Sequence, residues 1–547
     1  MRPFRLTLAL STAALALSTG GPVLAQATPA PFLVGAAKAS TDPVPGSDET
    51  PLDERVCIGG YSIMCERFMK VVRDPMFARA VAITGDGGAG RTAIIVTTTS
   101  VGLFAAYKPD AADLAGGHGA TGIYDMRQEI ARRVGTINAT DVVIQSDHSH
   151  AGPDVIGIWG GVPQSFMDLQ FERVVKAAVD AYAARRPATL SVATVEGPPT
   201  KSSYSSGPNA GHDDEFRLLV ADAADRSGRL WTMANYSPHA TVLGSSNEFG
   251  TSPDWPAWAA DEAERAYGGM GMGAIGSIGS MDWNKVGSTE AAREAEARTR
   301  LRSMMAAATA GLKPVTGSRV QVQSTFLREQ LAQPVLTLNY APGVLSLVGQ
   351  SDVRIDRSIS PPWLTGTTLG TYAGAVRLGE VFLAVAPGEA FPTINDTLRS
   401  RNFIGAQAHF FLGASNDFLG YMTDGRESYE QVVQEGLGYL AGCPEGALVS
   451  KDDACPDHFT LMVSPTMGTH VLCTIHAAAG TIGFTLGPRR DNCRELTALD
   501  GIGGPTERVA GAEPVVPDLP LPVVAGLLAL TACAAVVVRR RRSHTAA

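Results

Sequence analysis

The body of the chain alternates short β-branched runs with longer segments whose apolar residues recur at helical spacing. We find no internal repeat and no clear linker between residues 32 and 500. This pattern predicts one large layered α/β domain with a mixed sheet, although a length of 547 residues allows several domains. The predicted strands are 77–83, 92–99, 141–145, 189–195, 216–221, 230–236 and 381–386. The predicted helices are 124–133, 168–185, 255–267 and 289–310.

A glycine-rich stretch at residues 85–90, GDGGAG, matches the dinucleotide-binding pattern GxGxxG. In that motif the last glycine opens a helix, whereas here a β-branched strand follows. The glycines therefore predict a hairpin turn between two strands, and a nucleotide is not expected as a ligand.

The amino-terminal end is typical of an export signal. Arg2 and Arg5 precede an apolar run over residues 6–17, and the small residues Val23 and Ala25 then flank Leu24. Residues 1–25 are therefore predicted to be a cleaved signal peptide, and the alternative is an uncleaved membrane anchor.

The carboxyl-terminal end predicts a membrane anchor. Residues 521–538 are uncharged and just long enough to span a bilayer as a helix, and they follow a Pro/Gly-rich linker at 501–520. The basic tail, residues 539–547, begins with four arginines and is expected in the cytoplasm. The alternative is a buried core helix followed by a basic tail. Together the two ends predict an exported protein that one membrane span holds at the outer face of the cell membrane.

Composition excludes several classes of protein. Hydrophobic residues make up 45% of the chain, which is too many for a disordered protein. A net charge of −9 and the absence of a basic stretch before the tail argue against nucleic acid as a partner. Of seven cysteines, six form local pairs in the exported part, where disulfides are permitted. The favoured pairs are Cys57–Cys65, Cys443–Cys455 and Cys473–Cys493, and the odd cysteine, Cys533, falls in the predicted span.

Four side chains with metal-binding potential follow predicted strands. His148 and His150 leave the strand at 141–145, His239 follows the strand at 230–236, and Glu389 follows the strand at 381–386. Residues two apart on an extended chain point the same way, so the first two imidazoles are expected to face one site. Ligand sites in α/β sheets gather at carboxyl ends of strands, and a His, His, Glu set suits zinc. The chain has neither a GxSxG elbow nor an HExxH helix.

Six segments, in order along the body, resemble the neutral/alkaline non-lysosomal ceramidases. The most specific is DHSHAGP at 147–153, which is similar to the Thr-His-Thr-His-Ser-Gly-Pro motif of that family. The chain therefore looks like a divergent bacterial form of the family's catalytic domain. The other segments are FLVGAAKA at 32–39, which resembles the opening strand, DPMFARA at 74–80, NYSPHATVLG at 235–244, PGE at 387–389 and NDFLGYMTDGRESY at 416–429.

The resemblance implies a set of site residues and a reaction. His148, His239, Glu389 and Tyr421 would hold zinc, and Phe418 competes with Tyr421 for the last matching position. His150 would lie beside the metal and orient a water molecule or move protons. The implied reaction is cleavage of the amide bond of an N-acyl sphingoid lipid by zinc-activated water, which releases a fatty acid and sphingosine.

One departure from the family pattern affects the predicted reaction centre. The family carries Gly-Asp-x-Ser-Pro-Asn, whereas residues 279–284 of this chain read GSMDWN. Either Ser280 is a displaced serine or Asp282 replaces it, and both are candidate catalytic residues. Two further functions stay open: hydrolysis of another amide or ester on the same scaffold, and binding at the cell surface without catalysis.

Overall fold

The structure is a computed structural model, and it describes most of the body of the chain but not its two ends. The described residues are 31–43, 55–61, 65–107, 122–202, 211–244, 250–331, 364–365, 368–400, 403–423, 462–464 and 466–488.

A nine-stranded mixed sheet occupies the first part of the chain, with strand order β8-β7-β6-β5-β1-β2-β3-β4 and β9 beside β5. The pairs in the middle of this sheet are antiparallel, and the pairs β3–β4 and β7–β8 at its two ends are parallel. The strands are β1 (Phe32–Ser40), β2 (Phe77–Thr84), β3 (Thr92–Thr98), β4 (Val142–Ser146), β5 (Arg186–Glu196), β6 (Glu215–Ala223), β7 (Arg229–Tyr236), β8 (Met270–Ile275) and β9 (Lys313–Pro314).

A second, five-stranded sheet follows, with strand order β10-β12-β13-β14 and β11 beside β12. Its strands are β10 (Val320–Gln330), β11 (Leu364–Thr365), β12 (Thr368–Leu378), β13 (Val381–Val385) and β14 (Ala408–Leu412). Four two-residue pairs complete the described strands: Val71–Val72 with Gly250–Thr251, Lys201–Ser202 with Met281–Asp282, Glu389–Ala390 with Tyr421–Met422, and Ile404–Gly405 with Thr485–Leu486.

Six α-helices lie in the described residues. They are α1 (Ile123–Val134), α2 (Gln164–Ala183), α3 (Trp255–Tyr267), α4 (Glu290–Ala310), α5 (Pro392–Arg399) and α6 (Met467–Thr481). Short 3-10 turns occupy Asp86–Gly88 and Ala139–Asp141.

The elements stack as four layers, α/β/β/α. Alternate residues of a strand face opposite sides of its sheet. Ala80 and Ala82 of β2 accordingly join the core under helices α1–α4, whereas Val81 and Ile83 join the core between the two sheets. The far side of the second sheet is covered by α5 and α6, which pack on residues such as Phe382. Both sheets are therefore buried on both faces, which explains their nearly continuous apolar runs.

The predicted strand and helix order is confirmed over the described residues, and so is the mixed α/β class. Each predicted strand and helix has a counterpart, and residues 85–90 form the predicted turn between antiparallel β2 and β3. The prediction did not anticipate that the chain divides its strands between two stacked sheets. Whether the body is one domain remains a prediction.

Several predicted features fall outside the described residues. These are the signal peptide (1–25), the linker (501–520), the membrane span (521–538), the basic tail (539–547) and four cysteines, Cys443, Cys455, Cys493 and Cys533. No helix within the described part of the chain is long and apolar enough to cross a membrane. Of the three predicted disulfides, Cys57–Cys65 is present.

The buried amide of Gln145 joins the two outermost strands of the first sheet. Gln145 belongs to β4, and its side-chain nitrogen donates to the carbonyl of Ile275 at the end of β8, at 3.0 Å. The same nitrogen donates to the carbonyl of Gly413, just beyond β14, at 2.8 Å. The backbone N–H of Ile275 donates back to the Gln145 side chain at 3.2 Å. One side chain thus ties both edges of the first sheet to the second sheet.

A buried carboxylate, Asp213, connects three further segments. Arg217 of β6 pairs with it at 2.7 Å, and both side chains are essentially inaccessible to solvent. Ser237 and Ser277 donate their hydroxyls to Asp213, and Asn395 of α5 donates its side-chain amide at 2.8 Å. The Asp213 carboxylate therefore holds together the segments that follow β7 and β8 and the first turn of α5.

We expect Asp213→Ala to lower the free energy of unfolding by about 3–5 kcal/mol, because it removes the fully buried partner of the Arg217 guanidinium, which then keeps only the part-exposed Glu215. Urea unfolding of the full chain, followed by tryptophan fluorescence, measures the change. The matched control is Asp180→Ala, which removes an exposed ion pair with Lys176 and should cost at most about 0.5 kcal/mol. Equal costs for the two substitutions would contradict the role given to Asp213.

Candidate metal centre

Two imidazoles meet just beyond the carboxyl end of β4. The Nε2 atoms of His148 and His150 are 3.2 Å apart, and the two rings are nearly perpendicular. The chain is not extended here, because His148 has a φ of +53°, in the left-handed region. The two rings therefore face one site because the chain turns at His148. The extended backbone that the sequence analysis expected here is wrong.

Backbone carbonyls hold two of the site's histidines by their Nδ1 atoms. His148 Nδ1 donates to the carbonyl of Val101 at 2.5 Å, and His239 Nδ1 donates to the carbonyl of Met281 at 2.8 Å. A neutral histidine that donates through Nδ1 carries its lone pair on Nε2, which is the usual arrangement in metal-ligating imidazoles. Both Nε2 atoms are thereby aimed at the same interior space.

Glu389 supplies a carboxylate to that space. Its Oε2 atom is 2.9 Å from His239 Nε2 and 3.4 Å from His148 Nε2, and its side chain is only 3% exposed. Glu389 lies in a two-residue strand beyond β13, so it follows a strand of the second sheet, whereas the histidines follow strands of the first. The site is therefore built where the two sheets meet.

This arrangement of donors fits a metal ion. Candidate ligand atoms of His148, His150 and His239 all lie within 4.8 Å of one another. Two Nε2 lone pairs and a carboxylate oxygen repel one another in a buried place unless a proton or a cation lies between them. Nitrogen and carboxylate donors in this number are the ligands that zinc takes in catalytic sites. The described residues can thus hold a metal.

Burial and close contact shift the pKa values in the site. Burial alone would raise the pKa of Glu389, but His148 and His239 hold it well below its usual range. Burial lowers the pKa of His239, yet Glu389, Asp282 and the Met281 carbonyl outweigh it and raise that pKa to about 9. Burial, with His148 and His239 alongside, holds the pKa of His150 well below its usual range. His150 is accordingly a neutral imidazole at physiological pH.

The aromatic segment after β14 places Tyr421 and Phe418 on different sides of the site. Tyr421 pairs directly with Glu389 in a parallel two-residue ladder, and its ring centre is 6.4 Å from that of His239. Phe418 stacks on the ring of His148, with centres 5.3 Å apart. Of these two residues only Tyr421 has an oxygen to offer a metal, and its backbone pairs with that of Glu389.

Ser280 and Asp282 lie on the segment that carries the Met281 carbonyl. This segment contacts the strand of Glu389, because the Gly279 N–H donates to the Ala390 carbonyl at 2.9 Å. The Ser280 hydroxyl is buried and has no hydrogen-bond partner among the described residues. Asp282 accepts a hydrogen bond from Thr241 at 3.4 Å. Both predicted candidates are thus next to the site, in different surroundings.

Three contributors to the site were not anticipated from the sequence, although Asp147 belongs to the motif at 147–153. The carbonyls of Val101 and Met281 belong to unremarkable apolar residues, and such side-chain-to-backbone bonds leave no motif. Asp147, next to His148, accepts the backbone N–H groups of Ser100 and Ser149, each at 3.2 Å. Burial raises the pKa of Asp147 to about 8 in spite of these bonds.

The described fold and site define a four-layer α/β/β/α protein with a buried histidine and carboxylate cluster of the metal-binding kind. No protein-family model matches the chain, and no curated protein matches its sequence.

Solved structures, by contrast, have the same fold. The chain is similar to neutral ceramidase from Pseudomonas aeruginosa, with a TM-score of 0.59 and 15% identity over 85% of this chain and 77% of that one. It is also similar to a ceramidase complexed with C2, with a TM-score of 0.60 and 15% identity over 85% and 78% of the two chains. The resemblance read from the motifs is thus confirmed as a shared fold.

We expect His148→Ala and His239→Ala each to weaken metal binding by more than about 100-fold, since removing a ligand costs more than removing the groups that orient it. Metal content after dialysis, measured by mass spectrometry on the full chain, checks this. The control is His212→Ala, which removes an exposed histidine and should leave metal content unchanged. Wild-type metal content in His239→Ala would show that the site is misassigned.

Proposed function

We propose that this protein is a zinc-dependent amidohydrolase that cleaves N-acyl sphingoid lipids, as a ceramidase does. The observation that carries the proposal is the convergence of His148, His239 and Glu389, with His150 beside them, on the fold shared with neutral ceramidase. One of the similar structures is a ceramidase complexed with C2. The shared fold supports the proposal, and the histidine and carboxylate cluster supplies side chains that could bind the ion and move a proton.

His148, His239 and Glu389 would hold the ion, with Tyr421 as a further ligand from the strand beside Glu389. When bound, zinc supplies a Lewis acid that polarises a carbonyl and lowers the pKa of water. By accepting from Nδ1, the carbonyls of Val101 and Met281 would leave the Nε2 lone pair of each neutral imidazole available to the ion. Glu389 stays ionised because the neighbouring imidazoles hold its pKa low.

His150 is proposed as the group that moves protons. It is neutral at physiological pH, so its Nε2 atom, which faces the same space, is able to accept a proton from the attacking water. The same proton then passes to the nitrogen of the leaving amine, so that one water and one amide give a carboxylic acid and an amine. Hydrolysis in this scheme needs no nucleophilic side chain.

Ser280 and Asp282 are proposed to face the substrate in different ways. The buried Ser280 hydroxyl has a free hydrogen-bonding capacity, which suits a contact to the substrate's amide or head group. Asp282 contributes negative charge near His239 and raises its pKa. We therefore propose Ser280 as the substrate contact and Asp282 as an electrostatic support.

Export and membrane anchoring form part of the same proposal. The Cys57–Cys65 disulfide suits an oxidising compartment, as an exported catalytic domain would require. Residues 521–538 have the length and composition of a membrane span. An anchor of this kind would keep the site near a lipid substrate.

The test is hydrolysis by the purified full chain in detergent, with its metal content measured in parallel. A fluorogenic short-chain ceramide is compared with the matching ester and with an N-acyl amino acid. Zinc in the protein together with preferential cleavage of the ceramide supports the proposal. Cleavage of the ester or the N-acyl amino acid alone favours another hydrolase on this scaffold. Absence of bound metal and of turnover favours a binding protein.

We expect His150→Ala to lower kcat by about 10²–10⁴-fold, the usual contribution of a positioned acid–base group. The protein should still fold, because His150 is half-buried whereas His148 and His239 are fully buried. Steady-state kinetics on the best substrate of the panel measure the loss, and His212→Ala again serves as the control. An unchanged kcat would remove His150 from the reaction.

Chelation should abolish turnover, and added zinc should restore it, if the ion has the proposed role. The measurement is the initial rate after dialysis against a chelator and again after titration with zinc chloride. Full activity in protein shown to be free of metal would contradict the proposal.

A further inference from the structure

The disulfide between Cys57 and Cys65 closes a short loop that lies against the candidate metal centre. We call its described residues, 57–61 and 65, the disulfide loop. Backbone hydrogen bonds dock it on the chain that follows His150: Gly59 N–H donates to the Gly152 carbonyl at 3.0 Å, and Cys65 N–H donates to the Trp159 carbonyl at 2.7 Å. The loop therefore has a defined position relative to the histidine motif.

The loop backbone touches the ring of His150. A Cβ atom built on Gly60 would lie 2.3 Å from the His150 ring, and the φ of Gly60 is +92°. Only glycine fits both the left-handed backbone and this close approach. Tyr61, the next residue, packs its ring against that of His150 at 70°, with centres 5.0 Å apart. Such an edge-to-face contact is favourable and directional.

Arg67 fastens the loop to His150 from a second direction. One guanidinium nitrogen donates to the carbonyl of His150 and another to the carbonyl of Gly59, both at 2.9 Å. The same guanidinium lies over the ring of Tyr61, 5.3 Å from its centre. The disulfide loop and Arg67 thus contact both the backbone and the side chain of His150.

The hydroxyl of Tyr61 faces the other candidate residues of the site. It hydrogen-bonds with the side chain of Thr241, which in turn donates to Asp282. Burial and the nearby Asp282 and Asp254 raise the pKa of Tyr61, so the phenol keeps its proton. The ring of Tyr61 therefore lies between His150 and the segment that carries Asp282.

We propose that Tyr61 is a positioning residue for His150 and that the disulfide loop is part of the metal centre. The inference rests on the proposed metal site, and it adds an element that neither the motifs nor the ligand set contain. Gly60 and Tyr61 contact the His150 ring, and Arg67 holds the His150 backbone carbonyl. Together these contacts keep the Nε2 atom of His150 directed at His148.

The test compares Tyr61→Ala, Tyr61→Phe and His150→Ala, together with the double substitution of Tyr61 and His150 by alanine. The full chain is loaded with Co²⁺, whose visible spectrum reports the surroundings of the metal, and zinc affinity is measured by competition with a chromophoric chelator. We expect Tyr61→Ala to alter the cobalt spectrum and to weaken zinc binding by about tenfold, because the His150 ring that it releases lies 3.2 Å, Nε2 to Nε2, from the ligand His148. Tenfold is the lower end for groups that orient ligands. Tyr61→Phe keeps the ring and should stay close to wild type.

The double substitution decides whether Tyr61 acts through His150. If it does, adding Tyr61→Ala to His150→Ala changes neither readout further, because coupled residues are not additive. Additive effects, or a wild-type cobalt spectrum and zinc affinity in Tyr61→Ala, overturn the proposal. Should Tyr61→Ala fail to fold, Tyr61→Leu takes its place. A wild-type protein that binds no metal would instead refute the proposed function.

Substitution of Gly60 gives an independent test of the loop, and Gly135 offers a matched control. Gly60→Ala should disturb the His150 ring and weaken zinc binding, because the new methyl group overlaps it. Gly135→Ala places alanine at a similar φ of +75° where nothing lies within 4 Å, so it carries the backbone strain without the contact. Equal zinc affinities in these two variants would contradict the role of the loop.

Discussion

The buried carboxylate of Glu389 is the interaction on which the site depends. A carboxylate this deep in a protein is very costly unless opposite charge or hydrogen-bond donors surround it. Here His148 and His239 surround it, and each is held by a backbone carbonyl on its other nitrogen. The carboxylate, the two imidazoles and the two carbonyls therefore depend on one another for their hydrogen-bond partners. Displacing any member leaves a buried polar group without a partner, so the surrounding loops have little freedom.

The four layers explain how such distant residues meet. His148 and His239 follow strands near opposite edges of the first sheet, and Glu389 follows a strand of the second. The Gln145 side chain joins both edges of the first sheet to the end of β14, and Asp213 joins the segments after β7 and β8 to α5. Buried polar groups of this kind are satisfied in one arrangement only. They make the relative placement of the sheets specific, which apolar packing alone would not.

The amino-terminal disulfide and the candidate metal centre belong to the same region of the molecule. Cys57 and Cys65 lie far from His239 and Glu389 in sequence, yet the loop they close contacts the ring of His150. A loop held at both ends loses little further entropy when it is ordered against a site. An oxidising compartment would therefore favour the metal centre as well as the disulfide.

By itself the sequence determined the strand and helix order, the α/β class and the residue types able to bind a metal. These features are local: apolar periodicity, a turn at residues 85–90, and a His-x-His motif beyond a strand. Tertiary structure alone decided that the strands form two stacked sheets, that His148 turns through a left-handed φ, and that Val101 and Met281 select the tautomers. It also decided that Tyr61 lies against His150. The physical reason is that such contacts join backbone groups and rings across long stretches of chain, where no periodicity or motif records the partner.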